Sequence, residues 1–233
     1  MTKVGIMQPY FLPYIGYWQL MNLVDIYVVY DDVNYINRGW INRNRIMVNG
    51  KPQYINLLLS EASQNKLINE IELADNIENF KKIFRTLQLN YSKAPYYKEV
   101  CNMLQKILSS YHTNLSLFLY EQLKYLAEYM EINTQIVLSS SVKKNDNLRG
   151  QDKILDICRS LNATEYYNAI GGQSLYSKEI FEENNIQLYF LQTDTIKYLQ
   201  GNNTFESNLS ILDVLMYNDK KQVRQFLNEY KLI

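Results

Sequence analysis

The chain has 233 residues but only one histidine, His112, and two cysteines, Cys101 and Cys158. A single histidine excludes a histidine-rich metal site and makes a Ser-His-Asp or Cys-His relay improbable. The cysteines show no metal-ligand spacing and lie in apolar, helix-like contexts, so they read as buried, reduced thiols. No run approaches the ~20 apolar residues that a membrane span needs. The opening stretch, MTKVGIMQP, lacks the apolar segment of a signal peptide, and the expectation is a cytoplasmic protein. Neither sign of charge prevails. The 24 basic and 24 acidic side chains cancel, so no overall field attracts nucleic acid. No internal repeat, low-complexity tract or linker divides the chain, which reads as a single α/β domain over residues 1–233.

What is present is a set of short apolar runs that end in polar residues. Val4–Met7 and Ile26–Tyr30 are too short for helices and do not alternate, which suits strands buried on both faces of a parallel sheet. Between them Pro9 and Pro13 interrupt helix formation, and Ile15, Trp18, Leu20, Met21 and Val24 then recur at helical spacing. Strand, turn, helix and strand within about 30 residues make a βαβ unit. Asn49-Gly50, flanked by Arg45–Val48 and Gln53–Leu59, predicts a type I′ hairpin. Its second strand is apolar enough to join the main sheet. Residues 61–132 read as a helical insertion, with Asn114 as a cap. Further strands at Gln135–Leu138, Glu165–Asn168 and Ile186–Leu191 alternate with helices. The fold class is α/β: a mostly parallel, Rossmann-like sheet flanked by helices, with a β-hairpin and a mid-chain helical insertion.

Ligands of open α/β sheets bind outside the carboxyl ends of the strands. Four segments stand there or nearby. Gln8 and Tyr10 lie in the Pro-bounded turn after the first strand. Asp31 and Asp32 follow the second; there a carboxylate could hold a metal, orient an amine or ribose, or act as a general base. Arg38, Trp40, Asn42 and Arg43, with Tyr35 just before them, combine the arginine fork for phosphate with amides for sugar hydroxyls and rings for stacking. Asn168, Gly171, Gly172 and Tyr176 follow a later strand, and the two glycines let backbone approach a ligand closely. Ser210 and Asp213 match a capping box.

Taken together, QPYFLPYIGY, DDVNYINRGWINRNR, YNAIGGQSLY and FESNLSILD resemble the WbqC-like protein family over essentially the whole chain. Family members often carry a histidine before the first glutamine; here that residue is Met7. The resemblance implies a bacterial protein of surface polysaccharide (O-antigen) biosynthesis. It further implies a transferase that attaches an acyl or aminoacyl group, such as glycyl, to the amine of a nucleotide-linked amino sugar. The donor would be an activated acyl group, a carrier-protein or coenzyme A thioester, with an acyl carrier protein as a partner. Asp31 and Asp32 are then the catalytic candidates, Arg38 and Arg43 hold a diphosphate, and Trp40 or Tyr35 stacks on a base or sugar. Two alternatives stay open. One is a nucleotidyltransferase-like enzyme, because the first turn loosely echoes that of adenylyl- and cytidylyltransferases, with Tyr14 and Tyr17 where histidines would stand. The other is a non-catalytic nucleotide-sugar-binding protein.

Overall fold

A computed structural model of the chain describes residues 1–201 and 204–233. Strand β1 (Lys3–Met7), helix α1 (Ile15–Leu23) and strand β2 (Ile26–Val29) form the opening βαβ unit. The strands pair in parallel, from Val4 opposite Ile26 to Met7 opposite Val29. Trp18 of α1 is fully buried, and its indole N–H donates to the Pro13 carbonyl at 3.1 Å. A large apolar side chain can therefore be buried, worth about 1.5–3 kcal/mol, without stranding its polar atom.

The hairpin follows as β3 (Arg43–Val48) and β4 (Lys51–Asn56). Asn49 and Gly50 turn between them with φ of 51° and 74°, the pair of positive angles that a type I′ turn requires. The expectation that the second strand joins the main sheet fails. The hairpin is a separate two-stranded sheet. Only Ile55 of β4 is buried, so the strand lacks the two apolar faces that a place inside a sheet demands.

A two-residue pair, β5 (Leu59–Ser60) and β6 (Glu72–Leu73), leads into helices α2 (Ile77–Tyr91), α3 (Tyr97–Leu108) and α4 (Leu115–Tyr129). Asn114 caps α4, its side chain accepting the Leu117 N–H at 3.2 Å. Then come β7 (Gln135–Leu138), α5 (Gly150–Ser160), β8 (Glu165–Ala169), a 3-10 turn at Ile170–Leu175, α6 (Lys178–Glu183) and β9 (Gln187–Thr193). Helices α7 (Ile211–Tyr217) and α8 (Lys220–Phe226) and strand β10 (Tyr230–Leu232) close the chain. Strand β10 is not legible in the sequence. It is three residues long and largely exposed, and it adds antiparallel to the edge at β9.

The main sheet runs β7-β2-β1-β8-β9-β10. The first five strands are parallel. Alternate residues feed two cores. Val4, Ile6, Val28, Tyr166, Leu188 and Phe190 pack with α5 and α6. Tyr27, Val29, Tyr167 and Leu191 pack with α1–α4, α7 and α8. The chain leaves β1 through α1 on one face toward β2, and leaves β8 through α6 on the other face toward β9. Neighbouring strands whose connections part in this way open a crevice at their carboxyl ends.

Candidate functional site

That crevice holds a cleft of about 850 Å³. Met7, Gln8, Tyr10, Tyr14 and Tyr17 line one side of it, and Asn168, Gly171, Gly172 and Tyr176 another. Trp40, Asn44 and Arg45 come from the hairpin region, Tyr30 from the end of β2, and Gln192 and Thr193 from β9. Among the described residues that line it, none is a carboxylate, histidine or cysteine, and Arg45 is the one formal charge.

The Pro-bounded turn beneath Tyr10 is clamped from three elements. Leu12 has φ of +47°, a conformation that costs a residue with a Cβ on the order of 1–3 kcal/mol. Gln122 of α4 accepts the Leu12 N–H at 3.1 Å and donates to the Tyr10 carbonyl at 3.0 Å. Asn44 donates to the carbonyls of Phe11 and Leu12 at 3.1 and 2.7 Å. The Ser210 hydroxyl donates to the Leu12 carbonyl at 3.0 Å. Buried amide pairing of this kind offsets the strain and fixes where Gln8, Tyr10 and Tyr14 stand. Gly16 adds a steric condition. A Cβ there would lie 2.4 Å from Thr193 Oγ1 and 2.6 Å from the Tyr14 ring, so the floor closes only around glycine.

The phenols of the cleft stay protonated at neutral pH. Burial, then the neighbouring Tyr14, pushes Tyr10 up to about 12. Burial also raises Tyr14, Tyr17 and Tyr176. Tyr30 rises by burial and then by the negative charge of Asp32. Apart from Tyr17, whose hydroxyl donates to the Gln8 carbonyl, these rings present hydrogen-bond donors and stacking surfaces, not bases.

The structure gathers Gln8, Tyr10, Trp40, Asn168, Gly171, Gly172 and Tyr176 around the cleft. It places the other candidates elsewhere. Asp31 is buried; it accepts from the Ser140 N–H and hydroxyl at 2.9 and 2.7 Å and from the Ser116 hydroxyl at 3.1 Å. Asp32 bridges two nearly buried lysines, Lys144 at 2.7 Å and Lys153 at 3.1 Å. Burial alone would push the Asp32 carboxyl up, but Lys144, Ser139 and Lys153 together hold it below the usual range. Neither carboxylate lines the cleft.

Tyr35 donates to Asn42 Oδ1 at 2.9 Å, and Asn42 donates to the Leu57 carbonyl at 3.0 Å. Both therefore anchor the loop before β3. Arg38 sits in the turn with φ of 58°. Arg43 donates to the Gly39 and Arg38 carbonyls and lies 4.3 Å over the Tyr54 ring. Arg45 and Asn44, both outside the expected set, reach the cleft instead. The available signal was their place at the end of the same Arg-Asn-rich run. Asp213, expected in a capping box, turns into the core. Tyr91 and Tyr198 donate to it at 2.6 and 2.7 Å and Gln200 at 2.9 Å, while Ser210 alone caps α7. His112 is exposed. Both cysteines are free.

Among the described residues, no group of three or more His, Cys, Asp or Glu is placed to hold a metal. No helix there is long and apolar enough to cross a membrane. Residues 8–225 match the WbqC-like protein family. Over 218 residues the chain is 32% identical to the uncharacterized protein Rv1507c of Mycobacterium tuberculosis (strain ATCC 25618 / H37Rv), covering 92% of this chain and 93% of that one. No solved structure matches.

Proposed function

The chain belongs to the WbqC-like protein family, and on that premise we propose that it binds a nucleotide-linked amino sugar in the cleft and transfers an acyl or aminoacyl group to the sugar's amine. The observation that supports this reading best is the lining of the cleft. Tyr10, Tyr14, Tyr30, Trp40 and Tyr176 offer rings, and Gln8 offers an amide, around a volume of about 850 Å³. Rings and amides bind sugars and bases without demanding charge on the ligand. The volume lies within the ~300–1,000 Å³ typical of small-molecule sites.

With a thioester donor, the amine nitrogen adds to the carbonyl carbon, the C–S bond breaks, and the amine's proton leaves with the thiolate. No nucleophile on the protein is needed. Catalysis comes from holding amine and carbonyl together. The protonated phenols of Tyr10 and Tyr14 are the candidates to steady the developing oxyanion. In this reading Asp31 and Asp32 support the end of β2 and do not touch the amine. A carboxylate base would require one of them to enter the cleft, so Asp31→Asn retains turnover if positioning carries the reaction.

A second reading, a nucleotide-sugar-binding protein without activity, is favoured by the lack of an ordinary base among the described lining residues. Melting-point shifts with nucleotide-linked amino sugars, followed by mass spectrometry after adding acyl donors, separate the two. A shift with an acylated product supports transfer. A shift without product under any donor leaves binding alone. No shift with any such sugar overturns both.

A further inference from the structure

Arg45 is the only cation that borders the cleft among its described lining residues, and its donors are largely unspent. Its Nε is buried with no hydrogen-bond partner among the described residues. Its Nη2 donates to the Asn208 carbonyl at 3.4 Å, the long end of such bonds. Its Nη1 stands 3.7 Å from Glu206 Oε1, an ion pair too long for a hydrogen bond and formed by side chains 26% and 37% exposed. An arginine offers five donors in a planar fork that matches phosphate oxygens two at a time. Here the fork is held at one end of the cleft with most of that capacity uncommitted. The Trp40 ring centre lies 5.8 Å from the guanidinium carbon, and Trp40 borders the same cleft.

Glu206 is held from behind. Its N–H donates to Gln200 Oε1 at 2.7 Å, and its carbonyl accepts from Gln200 Nε2 at 2.9 Å. Its backbone is thereby fixed, and its carboxylate stands at ion-pair distance from Arg45. Such a weak, partly exposed counter-ion can be displaced by an incoming anion.

We propose that Arg45 is the anion-binding residue of the cleft and takes the diphosphate of a nucleoside diphosphate group, displacing Glu206, with Trp40 beside it to stack on the base. This rests on the nucleotide-sugar reading and gives the ligand a direction. The diphosphate lies at the hairpin end and the sugar toward Asn168 and Gly172. Arg43, whose guanidinium is committed to the loop, and Arg38, which does not line the cleft, take no part.

Calorimetric titration of the full chain with pyrophosphate, the four common nucleoside diphosphates and the matching nucleosides tests it. Arg45→Met should weaken binding of the diphosphates and of pyrophosphate by about 10-fold or more, the scale of hydrogen bonds to a charged group. It should leave the weaker binding of nucleosides unchanged. Glu206→Gln should tighten the diphosphates by roughly 2- to 5-fold, the range of an exposed ion pair. A purely structural role for the Arg45–Glu206 pair predicts no tightening. Lys51→Met, at an exposed residue of the hairpin that does not line the cleft, serves as the control for lost surface charge and should bind as wild type. Melting points of all variants show that each is folded; if Arg45→Met does not fold, Glu206→Gln alone decides. Unchanged affinity in Arg45→Met, or no tightening in Glu206→Gln, overturns the proposal. If nucleotide-linked sugars bind while Arg45→Met leaves their affinity intact, Arg45 is wrong and the cleft reading survives. If neither diphosphates nor nucleotide-linked sugars bind the wild-type chain, both fall together.

Discussion

Beyond β2, Asp31 spends both oxygens on Ser116 and Ser140, and Asp32 spends Oδ2 on Lys144 and Lys153. Beyond β1, Gln8, Tyr10 and Tyr14 face an open volume, while Asn168 at the end of β8 is already spent on the Tyr166 and Tyr176 hydroxyls and the Ala169 N–H. Both regions are polar stretches at strand carboxyl ends. They differ in what their groups have left to give. At β2, α4 and the 139–141 turn satisfy Asp31, and Lys144 and Lys153 hold Asp32 through Oδ2, with Oδ1 buried and without a hydrogen-bond partner among the described residues; both acids act as internal struts. At β1 and β8 the connecting helices part to opposite faces, and none of the described residues fills the gap between them. Polar residues after a strand make a site only where the topology keeps the rest of the chain away.

That contrast breaks most visibly at Asp32. Asp32→Asn leaves Lys144 and Lys153 facing each other in a nearly dry setting. It should cost about 3–5 kcal/mol, the scale for stripping one partner from a buried pair, read from the urea midpoint. A loss below about 1 kcal/mol would show a pair worth no more than an exposed one. Gly16→Ala acts on the other region. Its methyl must displace Thr193 and Tyr14, with an expected cost of about 1–3 kcal/mol for overpacking. The same shift reshapes the cleft, so ligand affinity should fall even where the protein stays folded. Wild-type affinity in Gly16→Ala would mean that Tyr14 does not touch the ligand.

Two carboxylates, Asp213 buried and Asp32 nearly so, sharpen the comparison through pH. Asp32 is held below its usual range, so its contribution is complete above the unfolded value near 3.9 and is lost as pH falls toward the lower folded value. Asp213 is raised, because burial outweighs the donors Tyr91, Tyr198 and Gln200. Its folded form holds a proton that the unfolded chain has given up, so stability falls as pH rises from about 3.9 toward the higher folded value. Melting curves should show Asp32→Asn flattening the slope below about pH 4 and Asp213→Asn flattening the slope above it. If both variants flatten the same side, one assignment is wrong. The smallest effect is at Gly171, where an added Cβ meets nothing within 4 Å. Gly171→Ala should change stability by less than about 0.5 kcal/mol, yet weaken ligand binding if backbone approaches the ligand there. Unchanged affinity would remove Gly171 from the site.

Local pattern determined much of this protein. Short apolar runs without alternation specify buried parallel strands. Asn49-Gly50 specifies the hairpin turn, because both residues tolerate positive φ. Asn114 specifies the start of α4. The motif segments placed Gln8, Tyr10, Asn168 and the glycines near a cleft, because residues just past parallel strands share one end of the sheet. Tertiary structure alone decided which polar groups remain free. Asp31 and Asp32 are engaged by residues more than 80 positions away in sequence. The strained turn at Leu12 is stable only with Gln122, Asn44 and Ser210 from three distant segments. Arg43 and Arg45 share one face of β3, and the contacts of the loop before it, not register, hold Arg43 at the Gly39 and Arg38 carbonyls while Arg45 reaches the cleft. The separate placement of β4 and the late addition of β10 were settled by burial and edge pairing. Residue type states what a side chain can donate or accept; only the packed chain settles whether a partner has already taken it.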